Sequence, residues 1–190
     1  MEVTKTTLDG VFLIKPLVHG DNRGFFFENY HAERYAKMGI QTSFVQDNIS
    51  HSSQGILRGV HYQLKHPQAK LMSVIQGTIY DVAVDIRVGS PTFGKWTSAI
   101  LSDTNHHQLF ISEGFAHGFY VLSQTADILY KCSDFYYPED EHGIIWNDSS
   151  IGIEWPLLNN SPVLSKKDSI NSMLNDVEKK LLPIFKNTTK

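Results

Sequence analysis

The chain is poor in the features that mark several broad classes of protein. Among its 190 residues there is one cysteine, Cys132, so no internal disulfide can form. That points to a reducing compartment, and a cytoplasmic location is expected. Basic excess is absent: 17 Lys+Arg stand against 20 Asp+Glu, a formal charge of −3. Such a balance offers little to a nucleic-acid backbone or an anionic membrane, and neither is expected as a partner. Long apolar runs are missing too. The first, Val11–Ile14, is far shorter than a membrane span, and the polar start MEVTKTTLDG lacks the apolar stretch of a signal peptide. No repeat, low-complexity tract or Pro/Ser-rich linker divides the chain, so residues 1–190 are expected to form a single domain. No Gly-x-Ser-x-Gly elbow and no glycine-rich phosphate loop appears, which sets aside the commonest nucleophilic and nucleotide-cofactor folds.

What is present is ordinary in bulk and unusual in detail. Hydrophobic residues are 41% and charged residues 19%, too apolar a mixture for disorder. Nine histidines accompany eleven Phe, eight Tyr and three Trp, a set suited to a small molecule rather than a polymer. Short apolar runs punctuated by Gly, Pro, Asn and Asp dominate from Val11 to Trp155. In Tyr80–Val88 the residues Tyr80, Val82, Val84, Ile86 and Val88 alternate with Asp81, Ala83, Asp85 and Arg87, predicting a strand with one buried face. Further strands are expected at Phe25–Glu28, Phe44–Asn48, Val60–Gln63, Leu71–Ile75, Ser98–Leu101, Gln108–Ile111, Phe119–Leu122 and Ile128–Cys132. Helical pattern is scarce. His31–Met38 makes two turns stopped by Gly39, and a second piece opens at Asn175, with Glu178 three residues on, and runs to Leu182 before Pro183. The tail from about 172 to 190 is therefore expected to be partly helical. Many short strands with turns between them predict an all-β sandwich or barrel with short helical ends.

Four segments carry more functional groups than packing requires: Asp21–Glu28, Gln46-Asp47-Asn48, Leu57–Gln63 and Gly114–Phe119. Lys70, Tyr130 and Ser165-Lys166-Lys167-Asp168 join them. A regular strand over Arg58–Gln63 puts Gly59, His61 and Gln63 on one face and Arg58, Val60 and Tyr62 on the other. Gly59 admits close approach, or a bulge that re-aims Arg58. Each group also has a purely structural reading. His61 can be a hydrogen-bonded core histidine, Tyr130 a packed aromatic, Lys70 a solvated face, Asp168 a loop carboxylate and His117 a turn residue.

A metal-dependent enzyme is one alternative class. Transition metals take three or four protein ligands, often two His one residue apart on a strand plus a carboxylate. Here that spacing reads His61-Tyr62-Gln63, with His117 far off and His106-His107 in a turn. Two scattered histidines do not make a site. A non-catalytic binding domain is the other alternative, and acid–base chemistry by His, Tyr, Lys and Asp is what the remaining residues favour.

Taken in order, the segments resemble the dTDP-4-dehydrorhamnose 3,5-epimerase family. The similar stretches are Asp21-x-Arg-Gly-Phe-Phe-Phe-Glu28, Val45-Gln-Asp-Asn48, Leu57-Arg-Gly-Val-His-Tyr-Gln63 and Lys70-Leu71. They continue with Asp81–Arg87, Ser90–Gly94, Gly114-Phe-Ala-His-Gly-Phe119, Tyr130-Lys131, Trp146-Asn-Asp148 and Ser165-x-Lys-Asp168, from about residue 10 to 170. The resemblance implies a cupin-like jelly roll, an all-β double-stranded β-helix, working as a homodimer with no metal and no organic cofactor. It implies a nucleotide diphosphate-linked 4-keto sugar as substrate, inverted at C3 and C5.

The resemblance also implies roles. His61 is the base oriented by Asp168, Tyr130 the acid on the opposite face, and Lys70 the cation beside the C4 oxygen. Arg23, Glu28, Gln46, Asp47, Asn48, Arg58, His117, Glu141 and Lys167 fall where the family binds the nucleotide diphosphate and sugar. Phe135 stands where a nucleotide-stacking Tyr is common, and its ring is expected to form the base platform. Ser112 replaces a common Pro without removing a functional group, and His19 stands where an aromatic is often found. Inversion of C3 or C5 alone, and a GDP-linked 4-keto heptose or other 4-keto nucleotide sugar as substrate, are the neighbouring alternatives; a metal-dependent cupin enzyme and a non-catalytic sugar-binding jelly roll are the more distant ones.

Overall fold

A computed structural model describes residues 1–186. In chain order the strands are β1 (Glu2–Lys5), β2 (Val11–Lys15), β3 (His19–Asp21), β4 (Gly24–Phe26), β5 (Gln46–Ser53), β6 (Leu57–Gln63) and β7 (Lys70–Gln76). There follow β8 (Thr78–Asp85), β9 (Trp96–Ser102), β10 (Gln108–Ile111), β11 (Phe115–Val121), β12 (Thr125–Cys132) and β13 (Glu141–Gly143). A single short α-helix among the described residues, α1 (Ala32–Lys37), precedes Gly39, whose φ of 95° closes it as expected.

The strands form a six-stranded sheet, β1-β2-β10-β7-β12-β5, and a five-stranded one, β13-β6-β11-β8-β9, with β3 and β4 making a separate hairpin. All ladders in the sheets are antiparallel, and the two sheets enclose a core that includes Val11, Met72, Ile79, Ala83, Leu109, Phe115 and Ile128. This is the expected all-β, cupin-like jelly roll.

Each sheet also buries part of its outer face. Tyr35 and Ile40, from α1 and its exit, cover Ile14, Leu71 and Phe110 on the six-stranded sheet. Ile144, Ile151, Leu174 and Leu182 from the C-terminal segment cover Val60, Val82, Val84 and Ile86 on the five-stranded sheet. This second cover overturns one expectation. Strand β8 is buried on both faces, with Val82 and Val84 turned outward under the tail and Asp81 and Asp85 turned inward at 0% exposure. It also stops at Asp85 rather than Val88. The Asp85 carboxylate gathers the Arg87 amide and guanidinium and the hydroxyls of Ser90 and Thr92 into a tight loop that turns the chain away.

The expected helix from Asn175 to Leu182 is also corrected. Two 3₁₀ turns, Leu174–Asp176 and Lys179–Leu181, take its place, and neither has a side-chain cap. Leu174, Val177 and Leu182 still pack on the outer face of the five-stranded sheet. Positions 187–190 of the expected helical tail lie outside the described residues.

Candidate active site

A pocket of about 660 Å³ opens between the two sheets. Strands β5, β7 and β12 build one wall in ordered rows: Asn48, Tyr130 and Met72 are cross-strand neighbours, and Gln46, Cys132 and Lys70 form the next row. Strands β6 and β11 build the opposite wall, where His61 and His117 face each other in register.

The second wall depends on a break in regularity. Between β6 and β11, His117 pairs with His61 but Phe119 pairs with Arg58, so three steps on β6 oppose two on β11. This bulge reverses the phase of β6, and Arg58 and His61, three residues apart, both line the pocket. Gly59 makes it fit, with φ at 113° and no room for a Cβ against Gly118 and the His117 carbonyl. The bulge expected from Gly59 is therefore present, and it does re-aim Arg58.

His61 Nε2 lies 2.5 Å from Asp168 Oδ1, although 107 residues separate them. Asp168 is 3% exposed, and its amide is anchored by donation to Ser165 Oγ at 3.0 Å. Burial alone would push its carboxyl upward, but the His61 hydrogen bond and charge outweigh burial and hold it below its ordinary value. His61 Nδ1 points to Glu141 Oε1 at 3.4 Å. Glu141 also accepts from Tyr136 Oη at 2.7 Å and pairs with the Lys167 ammonium.

Lys70 and Tyr130 project into the pocket, and among the described residues neither the ammonium nor the phenol has a hydrogen-bond partner in the protein. Burial pushes the Lys70 ammonium down, opposed by charge on Cys132, Glu141 and Asp81. Burial and the neighbouring Cys132 push the Tyr130 phenol up, so at neutral pH it carries its proton. His117 Nε2 meets Asp81 Oδ1 at 2.7 Å, forming a second buried His–Asp pair. The guanidinium of Arg58 donates to Ser52 Oγ at 3.0 Å and to the His51 carbonyl at 3.3 Å. Gln46 donates to Asn48 Oδ1 at 2.9 Å and accepts from the Tyr136 amide at 3.0 Å, which ties the β5 amides to the pocket rim.

Of the residues expected to form the site, His61, Lys70, Tyr130, Asp168, Gln46, Asn48, Arg58, His117, Glu141 and Lys167 come together. Four do not. Asp47 alternates out of the pocket and pairs with Lys131 at 2.9 Å on the outer face. Arg23 sits on the β3–β4 hairpin, paired with Asp21 at 2.6 Å, and Glu28 pairs with Arg34. Phe135 is 54% exposed and turns away, while the adjacent Tyr136 supplies the ring at the pocket rim. The expected platform thus shifts by one residue within the loop that follows β12.

Three contributors are missing from the sequence expectations. Tyr136 is one. Alternation puts Asp81 on the polar side of its strand, though a carboxylate flanked by Tyr80, Val82 and Ala83 signals a buried partner. Ser50 lines the β5 wall, and its hydroxyl is buried without a partner. Its period-two spacing from Asn48 is the available signal. Among the described residues no three His, Cys, Asp or Glu side chains converge in metal-holding geometry.

Fold and site together define a cupin-like jelly roll whose pocket sets His, Tyr, Lys and Arg around the space for a polar, anionic small molecule. The model of the dTDP-4-dehydrorhamnose 3,5-epimerase family matches residues 5–176. A dTDP-4-dehydrorhamnose 3,5-epimerase of Pseudomonas aeruginosa is 48% identical over 94% of this chain and 98% of its own. One from Neisseria gonorrhoeae is 50% identical over 96% of this chain, which spans 55% of that protein's length. The crystal structure of the Legionella pneumophila dTDP-6-deoxy-D-glucose-3,5-epimerase in complex with dTDP-4-keto-L-rhamnose superposes with a TM-score of 0.94. It is 49% identical, covering 97% of this chain and 98% of that one. The chain belongs to the dTDP-4-dehydrorhamnose 3,5-epimerase family, as the resemblance of its motifs implied.

Proposed function

We propose that this protein inverts C3 and C5 of a dTDP-linked 4-keto-6-deoxyhexose by general acid–base catalysis through an enolate. The observation that carries the reading is the His61–Asp168 pair, set in one pocket with unpartnered Lys70 and Tyr130. A ketone at C4 acidifies the protons on C3 and C5, because the electron pair left behind spreads onto the carbonyl oxygen. With Nε2 bonded to Asp168, His61 presents Nδ1 as the base, and the buried carboxylate stabilises the imidazolium that forms. Tyr130 returns a proton from the other face, and Lys70 stabilises the enolate oxygen. Arg58 and Lys167 bind the diphosphate, Gln46, Asn48 and His117 contact the nucleotide sugar, and the Tyr136 ring offers a face to the base.

Arg23 and Glu28 stand outside the pocket of their own chain. Their place on a hairpin segment with Phe25 and Phe26 exposed at 63% and 69% supports a homodimer in which they serve the other subunit's substrate. A cytoplasmic setting fits the lone, buried Cys132.

The test is incubation with dTDP-4-keto-6-deoxyglucose in heavy water, read by mass spectrometry and NMR. Deuterium should enter at both C3 and C5 with inversion, and His61→Ala should abolish exchange at both. Wash-in at one carbon identifies a single-centre enzyme, and none at all removes the reading. Full exchange in the His61 variant would sink the base assignment.

A further inference from the structure

C3 and C5 flank the ketone, and in a gluco-configured chair their axial hydrogens lie on the same face of the ring. One base can therefore serve both centres, but only if it is freed of the first proton before it takes the second. The need for that release rests on the double inversion proposed above.

The surroundings of His61 offer one way out. Among the described residues two carboxylates lie within ion-pair distance of its ring: Asp168 at 2.5 Å from Nε2 and Glu141 at 3.4 Å from Nδ1. The Asp168 side chain is 5% exposed and holds Nε2 rather than Nδ1, so it offers the Nδ1 proton no route to water. Glu141 differs. Its Oε1 faces Nδ1, while Oε2 is held by Tyr136 Oη and the Lys167 ammonium, side chains that are half in solvent. The 3.4 Å gap is longer than a normal hydrogen bond, so Nδ1 remains free for a sugar carbon and still has an acceptor beside it. Lys70, Tyr130, Arg58 and the Asp81-bonded His117 also line the pocket, but among the described residues no side chain of theirs makes an ion pair or hydrogen bond with the His61 ring.

We propose that Glu141 is the proton exit for His61, resetting the base between the two inversions. In the first step the C–H bond breaks, its proton goes to His61 Nδ1 and its electron pair to the enolate. Tyr130 then delivers its phenolic proton to the opposite face of that carbon, leaving an imidazolium and a phenolate. For the reset, the Nδ1 proton passes to Glu141 Oε1 and from there to water, while the Tyr130 phenolate takes a proton from water. Nothing is oxidised or reduced, and the pocket regains its starting protonation for the second carbon.

Glu141→Gln keeps the shape and leaves an amide oxygen to accept from Tyr136 and Lys167, without the charge that pairs with Lys167, and cannot carry a proton. The readout is the ratio of singly to doubly inverted product at early conversion of dTDP-4-keto-6-deoxyglucose. The ratio should rise about tenfold or more in the variant, since a lost proton-transfer group typically costs at least that. Added formate should bring it down again. A variant that slows both centres equally, with the ratio unchanged, shows a carboxylate that only binds substrate and overturns the proposal. A raised ratio that formate does not move overturns it too. Should the glutamine variant fail to fold, Glu141→Asp carries the same test: its carboxylate retreats from Nδ1, and the ratio must rise less and respond to formate. Wild-type protein that exchanges fewer than both carbons would overturn the double-inversion reading itself, and this proposal with it.

Discussion

Gly59 and Gly118 cross so closely that a Cβ on Gly59 would stand 2.6 Å from the Gly118 Cα. Their contact is the seam where the β6 bulge meets β11, and it sets the phase that turns both Arg58 and His61 into the pocket. Gly118→Ala should therefore act on both stability and binding. A Cβ there would lie 2.8 Å from the Arg58 carbonyl and 3.3 Å from the Gly59 Cα, neither of which is the end of a flexible side chain. The expected cost is about 1–3 kcal/mol of stability, the usual range for overpacking. Because the strain falls on Arg58, proposed above to bind the diphosphate, dTDP affinity should fall as well. Denaturant unfolding and calorimetric titration with dTDP check the two effects, and unchanged affinity would show that the bulge does not position Arg58.

The pair of His61 and Asp168 leads to a second expectation. Asp168→Asn keeps the size of the side chain but removes the charge that, in the proposed mechanism, stabilises the imidazolium, and it can leave the wrong nitrogen carrying the proton. The first-order rate of deuterium wash-in should drop by on the order of 10²–10⁴, with little change in dTDP affinity. A variant within threefold of wild type would show that Asp168 only orders its loop.

Lys70 and Tyr130 should separate into distinct kinetic signatures. Tyr130 carries its proton at neutral pH because burial raises its phenol above the ordinary 10.0. Tyr130→Phe should still exchange deuterium, since the base is intact, yet yield little inverted product. On its proposed role, Lys70→Met should instead suppress exchange and inversion together, by about 10²–10³, because the enolate would lose its stabilising cation. Comparing wash-in with product configuration by NMR distinguishes them.

Local pattern made most strands legible, because alternation along a strand decides which side chains share a face, while the pocket residues were expected from the resemblance of the ordered motifs. It failed where a distant segment decided the outcome. The alternating face of Tyr80–Ile86 announced a buried side, but only the tail shows that this side faces outward and that Asp81 points in. For Asp47 the resemblance, not the local pattern, misled: it lies between two pocket residues in sequence, and strand alternation alone turns it away. Phe135 and Tyr136 occupy a loop after β12, where no periodicity chooses between neighbouring rings. Arg23 and Glu28 lie on a segment whose position relative to a second subunit no local pattern encodes.

Asp148 joins the tail to the barrel and gives stability a pH dependence. At 1% exposure it accepts from the Ser150 amide and hydroxyl through Oδ1 and from the Leu174 amide through Oδ2 at 2.6 Å. Burial alone would raise its carboxyl, but these donors outweigh it and hold it below the ordinary 3.8. A carboxyl lowered in the folded state contributes its stability in full above the unfolded value, and loses it as pH falls through the folded one. Asp148→Asn would set an amide NH₂ or a neutral oxygen against those donors, at a cost of about 1–3 kcal/mol at neutral pH. For a chain of this size that lowers Tm by about 2–4 °C per kcal/mol. The gap between wild type and variant should be constant from pH 7 down to about 4 and close progressively below 3.8. Thermal melts across that range check it. A gap that stayed constant through pH 3 would show that the charge of Asp148 does not hold the tail against the five-stranded sheet.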